Sequence, residues 1–261
     1  MEKLHHELWI THAVNAVFGP IAAMILRAFG RDVPAGAQVI PDYLAILIVI
    51  AIALTALSLL MRSRLSVEHP GALQVALEDG ITAFQGLLAD FVGPKGPNYL
   101  PLVVSIFVVI WLSNLAGLVP GLMAPTSNIN VTLGCAVTVW TYYHFQGVKE
   151  QGAWGYFKHF AHVPPGTPVV MKLFMVPLIF LIEMIGHAAR VMSLSLRLFG
   201  NIFGEELVII ILASLVPFIV PLPMMFLGLL TGTLQALIFA VLTMVYLGGA
   251  VAVEHHDEAH A

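Results

Sequence analysis

Charge is what this 261-residue sequence has least of. Asp, Glu, Lys and Arg together make up 10% of it, against about 25% in soluble domains. With 11 basic against 15 acidic residues and a formal net charge of −4, it has no basic patch interleaved with aromatics, which excludes nucleic acid as a partner. Cysteine is almost absent. Cys135 alone permits neither an internal disulfide nor a thiolate metal cluster, and it reads as a small packed side chain. No Walker loop, HExxH, GxSxG or paired catalytic aspartate arrangement occurs, so the chain lacks the devices for binding nucleotide or cutting peptide bonds. Acids and histidines precede the first apolar residues, without an A-x-A-like site or an Arg-rich, acid-poor stretch, so no signal or transit peptide is expected.

What is present is apolar sequence in long runs. Hydrophobic residues make up 59% and the mean hydropathy is +0.92. The expected fold class is an all-α polytopic membrane protein of about five membrane helices plus an amphipathic surface helix. Residues 1–40 read as an interfacial, partly helical leader interrupted by Pro20. Residues 41–252 read as one helical membrane domain, and 253–261 as a polar tail. His5, His6 and His12, like His256 and His260, lack carboxylates at ligand spacing, so no metal site is expected.

The first span runs from Asp42 to Arg62 and Arg64, about twenty residues, enough to cross the hydrocarbon. Residues 70–91 set Leu73, Leu77, Ile81, Phe84, Leu88 and Phe91 against Gln74, Glu78, Asp79, Gln85 and Asp90, the pattern of a helix lying on the membrane surface. Spans follow at about 99–119 and 129–145. The last two apolar segments, about 171–215 and 224–252, exceed a perpendicular crossing and are expected to form a long tilted hairpin. An N-terminus outside puts Arg62, Arg64, Lys95, Lys149, Lys158 and Lys172 on the cytoplasmic side, with Lys3, Arg27 and Arg31 dissenting.

The residues from Glu183 to Glu206, EMIGHAARVMSLSLRLFGNIFGEE, carry the chemistry. At about 100° per residue, with Arg197 as zero, Arg190 falls at about 20°, Glu183 and Asn201 at about 40°, and His187 and Glu205 at about 80°. Six polar side chains share a stripe. Glu206 falls at about 180° and faces the other way. Intramembrane acids and histidines mark proton relays, whereas arginine stays charged and can only hold a carboxylate ionised. A fixed cation between two polar tracks separates them electrically, which is the logic of two half-channels. No acid stands at i±3 or i±4 from Arg197, so its partner comes from another chain, or it is a structural cation paired within the bundle. Gln235, on the last span, either lines the track or joins two helices.

SLSLRLFGNIFGEE and TLQALIFAVLTMVYL, in that order, with PTSNINVTL earlier in the chain, resemble subunit a of the bacterial F-type ATP synthase, and the resemblance extends from about Asp42 over most of the chain. It implies a proton-conducting stator subunit of the plasma (inner) membrane, without cofactor, facing a rotating ring of small hairpin c subunits and assembled with peripheral-stalk b subunits and the other synthase subunits in lipid. Arg197 matches the family's essential arginine. Asn201, Glu206, Gln235 and Asn114 match positions on the outer proton path, and Glu183 and Arg190 match positions on the inner one, with His187 on the same stripe. Gly228 departs from members that carry a titratable side chain there, and Glu205 replaces a small residue. The alternative is an ion-coupled secondary transporter of an anionic solute, against which stands the lack of any internal repeat.

Overall fold

A computed structural model describes residues 9–28, 30, 38–62, 65–119, 121–152, 154–156, 168–216 and 219–251. Lys3, His5, His6, Arg31, Arg64, Lys158, His256 and His260 lie outside the described residues, as does the side chain of Lys172. The described chain is a bundle of helices: α1 (Trp9–Ala28), α2 (Asp42–Arg62), α3 (Ala72–Val92), α4 (Leu100–Ala116), α5 (Ile129–Gln151), α6 (Val169–Leu215) and α7 (Pro221–Val251). The expected all-α polytopic architecture is what it shows.

Five helices are long and apolar enough to cross a membrane, and they are not quite the expected five. The leader holds a continuous 20-residue helix, α1, with Pro20 inside it. Its length and composition qualify it as a crossing. A proline removes one backbone bond but does not end a helix whose neighbours supply the lost partners. Asn15 supplies the anchorage to α2: its amide oxygen accepts from the backbone N–H groups of Val39 and Ile40, and its nitrogen donates to the Ile40 carbonyl. Conversely α5, the expected third span, runs for 23 residues but carries Thr, Tyr, His and Gln at intervals and falls outside the group chosen on apolarity. Its polar side chains are used inside the bundle.

Helix α5 begins where the side chain of Asn128 accepts from the backbone N–H of Asn130, an ordinary N-cap. α6 has 47 residues, about 70 Å at 1.5 Å per residue, more than twice a hydrocarbon core of about 30 Å. It cannot stand upright in a bilayer. α6 and α7 form the long hairpin, and α7 packs against α3, α4, α5 and α6. The surface helix α3 docks by its second half, with Leu88 fully buried while Leu73, Leu77 and Ile81 stay exposed.

Close approach depends on missing side chains. A Cβ on Gly248 of α7 would lie 2.3 Å from the Phe91 carbonyl oxygen, whereas one on neighbouring Gly249 would meet nothing within 4 Å. Gly248→Ala is therefore expected to destabilise the bundle by about 1–3 kcal/mol, the usual cost of overpacking, and Gly249→Ala by much less. Thermal unfolding of the two variants in detergent checks this; equal melting would contradict the packing.

Candidate functional site

The roll of α6 about its axis decides where its polar stripe points. Leu194, Ser195, Leu198 and Ile202 are buried, at about 60°, 160°, 100° and 140° on the count that sets Arg197 at zero. The face toward the bundle is thus centred near 115°, and Arg197 turns away from it and is exposed. Two polar contacts flank it. Ser195 Oγ lies 3.1 Å from Thr132 Oγ1 of α5, and Asn201 Nδ2 donates to Gln235 Oε1 of α7 at 2.8 Å. Gln235 therefore joins the two helices at the level of the stripe. Among the described residues Arg197 makes no ion pair, so the alternative of a structural cation satisfied within the bundle has no support there.

Toward the N-terminal end of the stripe, Glu183, His187 and Arg190 form one cluster. Glu183 Oε1 is 3.5 Å from His187 Nε2 and 3.6 Å from Arg190 Nη2. His187 is buried, and its Nδ1 lies 2.9 Å from the hydroxyl of Tyr143 on α5. The Arg190 guanidinium stands 5.6 Å from the centroid of the Tyr246 ring on α7. Behind these, the His144 and His187 rings are 4.6 Å apart, and the Tyr156 hydroxyl is 2.7 Å from His144 Nδ1. Burial pushes the Tyr156 phenol up to about 12, so it stays protonated at neutral pH. Tyr143, His144 and Tyr156 were not among the expected site residues, because nothing in their local spacing marks them.

Toward the C-terminal end the two adjacent acids diverge, as their 100° separation requires. Glu205 points at α7, where a Cβ on Gly228 would overlap its carboxylate. The space that any side chain at 228 would occupy is filled by Glu205. Among the described residues its buried Oε2 has no hydrogen-bond partner, and neither do Ser113 Oγ and Gln235 Nε2. Glu206 turns instead toward the short turn Pro125–Ser127, near the Ser127 hydroxyl and the Ala124 backbone. It also lines a cavity of about 470 Å³ with Gly117, Gly121, Ile209 and Met225. Asn114 is buried and bridges: it accepts from Thr126 at 2.7 Å and donates to the Gly232 carbonyl at 2.8 Å.

Residues 43–248 match the profile of the family described as ATP synthase A chain. The chain belongs to the ATP synthase subunit a family. It is 44% identical over 206 residues, 79% of this chain and 86% of the relative, to ATP synthase subunit a of Citrifermentans bemidjiense. It is 42% identical to ATP synthase subunit a 1 of Syntrophotalea carbinolica, covering 81% of this chain and 84% of the relative. A third relative, ATP synthase subunit a of Aliarcobacter butzleri, is 43% identical over 72% of this chain and 79% of its own length.

As a member of the subunit a family it is a multi-pass membrane component of a multi-subunit complex, consistent with proton transport coupled to ATP synthesis. The expected site residues fall into three groups around α6. Glu183, His187 and Arg190 touch one another; Asn201 and Gln235 are bonded; Asn114, Glu205 and Glu206 gather where α4 and α7 meet the C-terminal part of the stripe. Arg197 faces outward, and Asn201, although bonded to Gln235, is exposed as well.

The contact between Glu205 and Gly228 gives a packing test. Gly228→Val is expected to lower the amount of assembled chain in membranes several-fold, and Glu205→Ala in the same chain to restore most of it, because the two substitutions share one space. Additive losses, measured by quantifying the assembled complex, would contradict that geometry.

Proposed function

We propose that this chain is the proton-conducting stator subunit of a bacterial F-type ATP synthase in the plasma membrane. Two aqueous half-channels end against a rotating ring of small c subunits, each with a buried carboxylate, and peripheral-stalk b subunits hold the chain in place. The observation that carries this reading is Arg197: exposed on the face of α6 turned from the bundle, and without an ion pair among the described residues. A permanent cation in hydrocarbon costs about 2.5–3.5 kcal/mol on insertion scales. Its complement is a carboxylate presented from outside, held ionised as it passes and released on the other side.

The outer path runs by the cavity at Glu206 to Glu205, Asn201 and Gln235, with Asn114 bracing it. Support comes from the buried unpaired atoms of Ser113, Glu205 and Gln235, since buried polar atoms are normally met by protein or water. The inner path leaves by Arg190, His187 and Glu183. Glu183 lies about 21 Å along the helix from Arg197 and Glu206 about 13 Å the other way, so neither acid short-circuits the arginine. Each elementary charge crossing 100 mV releases about 2.3 kcal/mol, which the ring passes to catalytic subunits elsewhere. The chain conducts; it does not bind nucleotide.

Arg197→Ala is expected to abolish gradient-driven ATP synthesis in membrane vesicles while leaving the complex assembled, and to raise passive proton leak. Synthesis and leak are measured beside the unmodified chain at equal assembly. Near-normal synthesis would return Arg197 to a structural role.

A further inference from the structure

Resting on that reading, we propose that Tyr143 of α5 is a positioning residue for proton exit: its hydroxyl holds His187 with Nε2 aimed at Glu183 through every protonation state of the imidazole. The geometry is direct. Tyr143 Oη is 2.9 Å from His187 Nδ1, and His187 Nε2 is 3.5 Å from Glu183 Oε1. Tyr143 and His187 are 2% and 6% exposed, so neither has ready access to bulk water in place of the other. Their rings are stacked, with centroids 5.9 Å apart, which fixes the imidazole plane.

The chemistry follows from which groups can donate and which can accept. A neutral imidazole has one donor and one acceptor, and the cation has two donors. A carbonyl at Nδ1 would only accept and an ammonium only donate; a hydroxyl does either. Which nitrogen exchanges the proton is set by the bond the other makes. In the cation, Nδ1–H donates to Tyr143 and Nε2–H points at Glu183. Transfer breaks the Nε2–H bond, forms an O–H bond on the Glu183 carboxyl, and leaves a neutral imidazole still donating from Nδ1. Glu183, with a half-exposed side chain, gives the proton to water, and the imidazole takes its next proton from the arginine side of the path.

Among the described residues, the following groups around His187 bear on the balance. From α6 come Glu183, which favours the cation, and Arg190, which opposes it; from α5 come Tyr143 and His144; Tyr246 of α7 faces Arg190, and Tyr156 faces His144. Because Tyr143 accepts from the cation, removing its hydroxyl makes that cation harder to form.

The test is ATP-driven proton pumping by the whole complex in vesicles between about pH 6 and 8.5, on either side of the ordinary histidine range. Tyr143→Phe keeps the ring and removes one oxygen; it is expected to slow pumping several-fold and to move the alkaline limb down by about one pH unit, the effect of losing one bond to a charged group. His187→Gln keeps a partner for Tyr143 but takes up no proton, and is expected to slow pumping about 100-fold, in the range of a lost proton-transfer group. An unchanged pH profile in Tyr143→Phe, or near-normal pumping by His187→Gln, overturns the inference. Arg197→Ala run in parallel separates the two claims. If that variant is inactive while Tyr143→Phe matches the unmodified complex, only the role of Tyr143 fails; if Arg197→Ala pumps normally, the stator reading fails and this one with it.

Discussion

The bond between Asn201 and Gln235, with the contact of Ser195 and Thr132 two turns away, sets the roll of α6, and on that roll the direction of every side chain in its polar stripe depends. One residue of rotation is 100°. A slip of that size would bury Arg197 among Leu198 and Ile202 and swing Glu205 out of the space above Gly228. Hydrophobic packing alone does not forbid the slip, because α6 is apolar nearly all round and lipid is as apolar as its neighbours. Two polar contacts, each modest in a membrane protein at about 0.6–2 kcal/mol, discriminate where apolar contacts cannot.

Helix α7 is the surface against which that roll is read. Gly228 and Gly232 stand four residues apart on its face, and the absence of side chains there admits the Glu205 carboxylate at one position and Asn114 at the other. Asn114 then reaches the Gly232 carbonyl and, through Thr126, the turn that meets Glu206. Small residues do what apolar bulk cannot in lipid: they bring backbones close enough for polar atoms to be shared. The departure at Gly228 that the family resemblance implies has its physical counterpart in Glu205, whose carboxylate stands in the volume above that glycine from the opposite helix.

Much of this was legible in the sequence, for stated reasons. The stripe on α6 follows from a 3.6-residue period, and so does the divergence of Glu205 from Glu206, because both belong to a single helix. The role of Gln235 did not follow, since lining a path and joining two helices need the same residue on the same face, and only the partner distinguishes them. Tyr143, His144 and Tyr156 were invisible for a related reason: they earn their place through contacts with α6 that no local pattern encodes. α5 itself, read as a span, is more polar than the other long helices because its Thr132, Tyr143 and His144 are spent on neighbours. α1, expected as part of an interfacial, partly helical leader interrupted at Pro20, is a continuous helix with that proline inside it, because a proline removes one backbone bond without ending a helix.

The two ends of the stripe differ in kind. Around Glu183 the polar groups answer one another: carboxylate to imidazole, imidazole to phenol, guanidinium to carboxylate. Around Glu205 and Glu206 some buried polar atoms remain unanswered among the described residues, and Glu206 lines a cavity. Between them Arg197 is exposed and, among the described residues, makes no ion pair that would offset its charge. A charge so placed persists only if the face that carries it is covered by something polar. For a subunit of a multi-component membrane complex, that cover is another subunit. On the function proposed above, the exposed arginine is a complementarity condition on that neighbour, which brings an acid to the same depth and takes it away again.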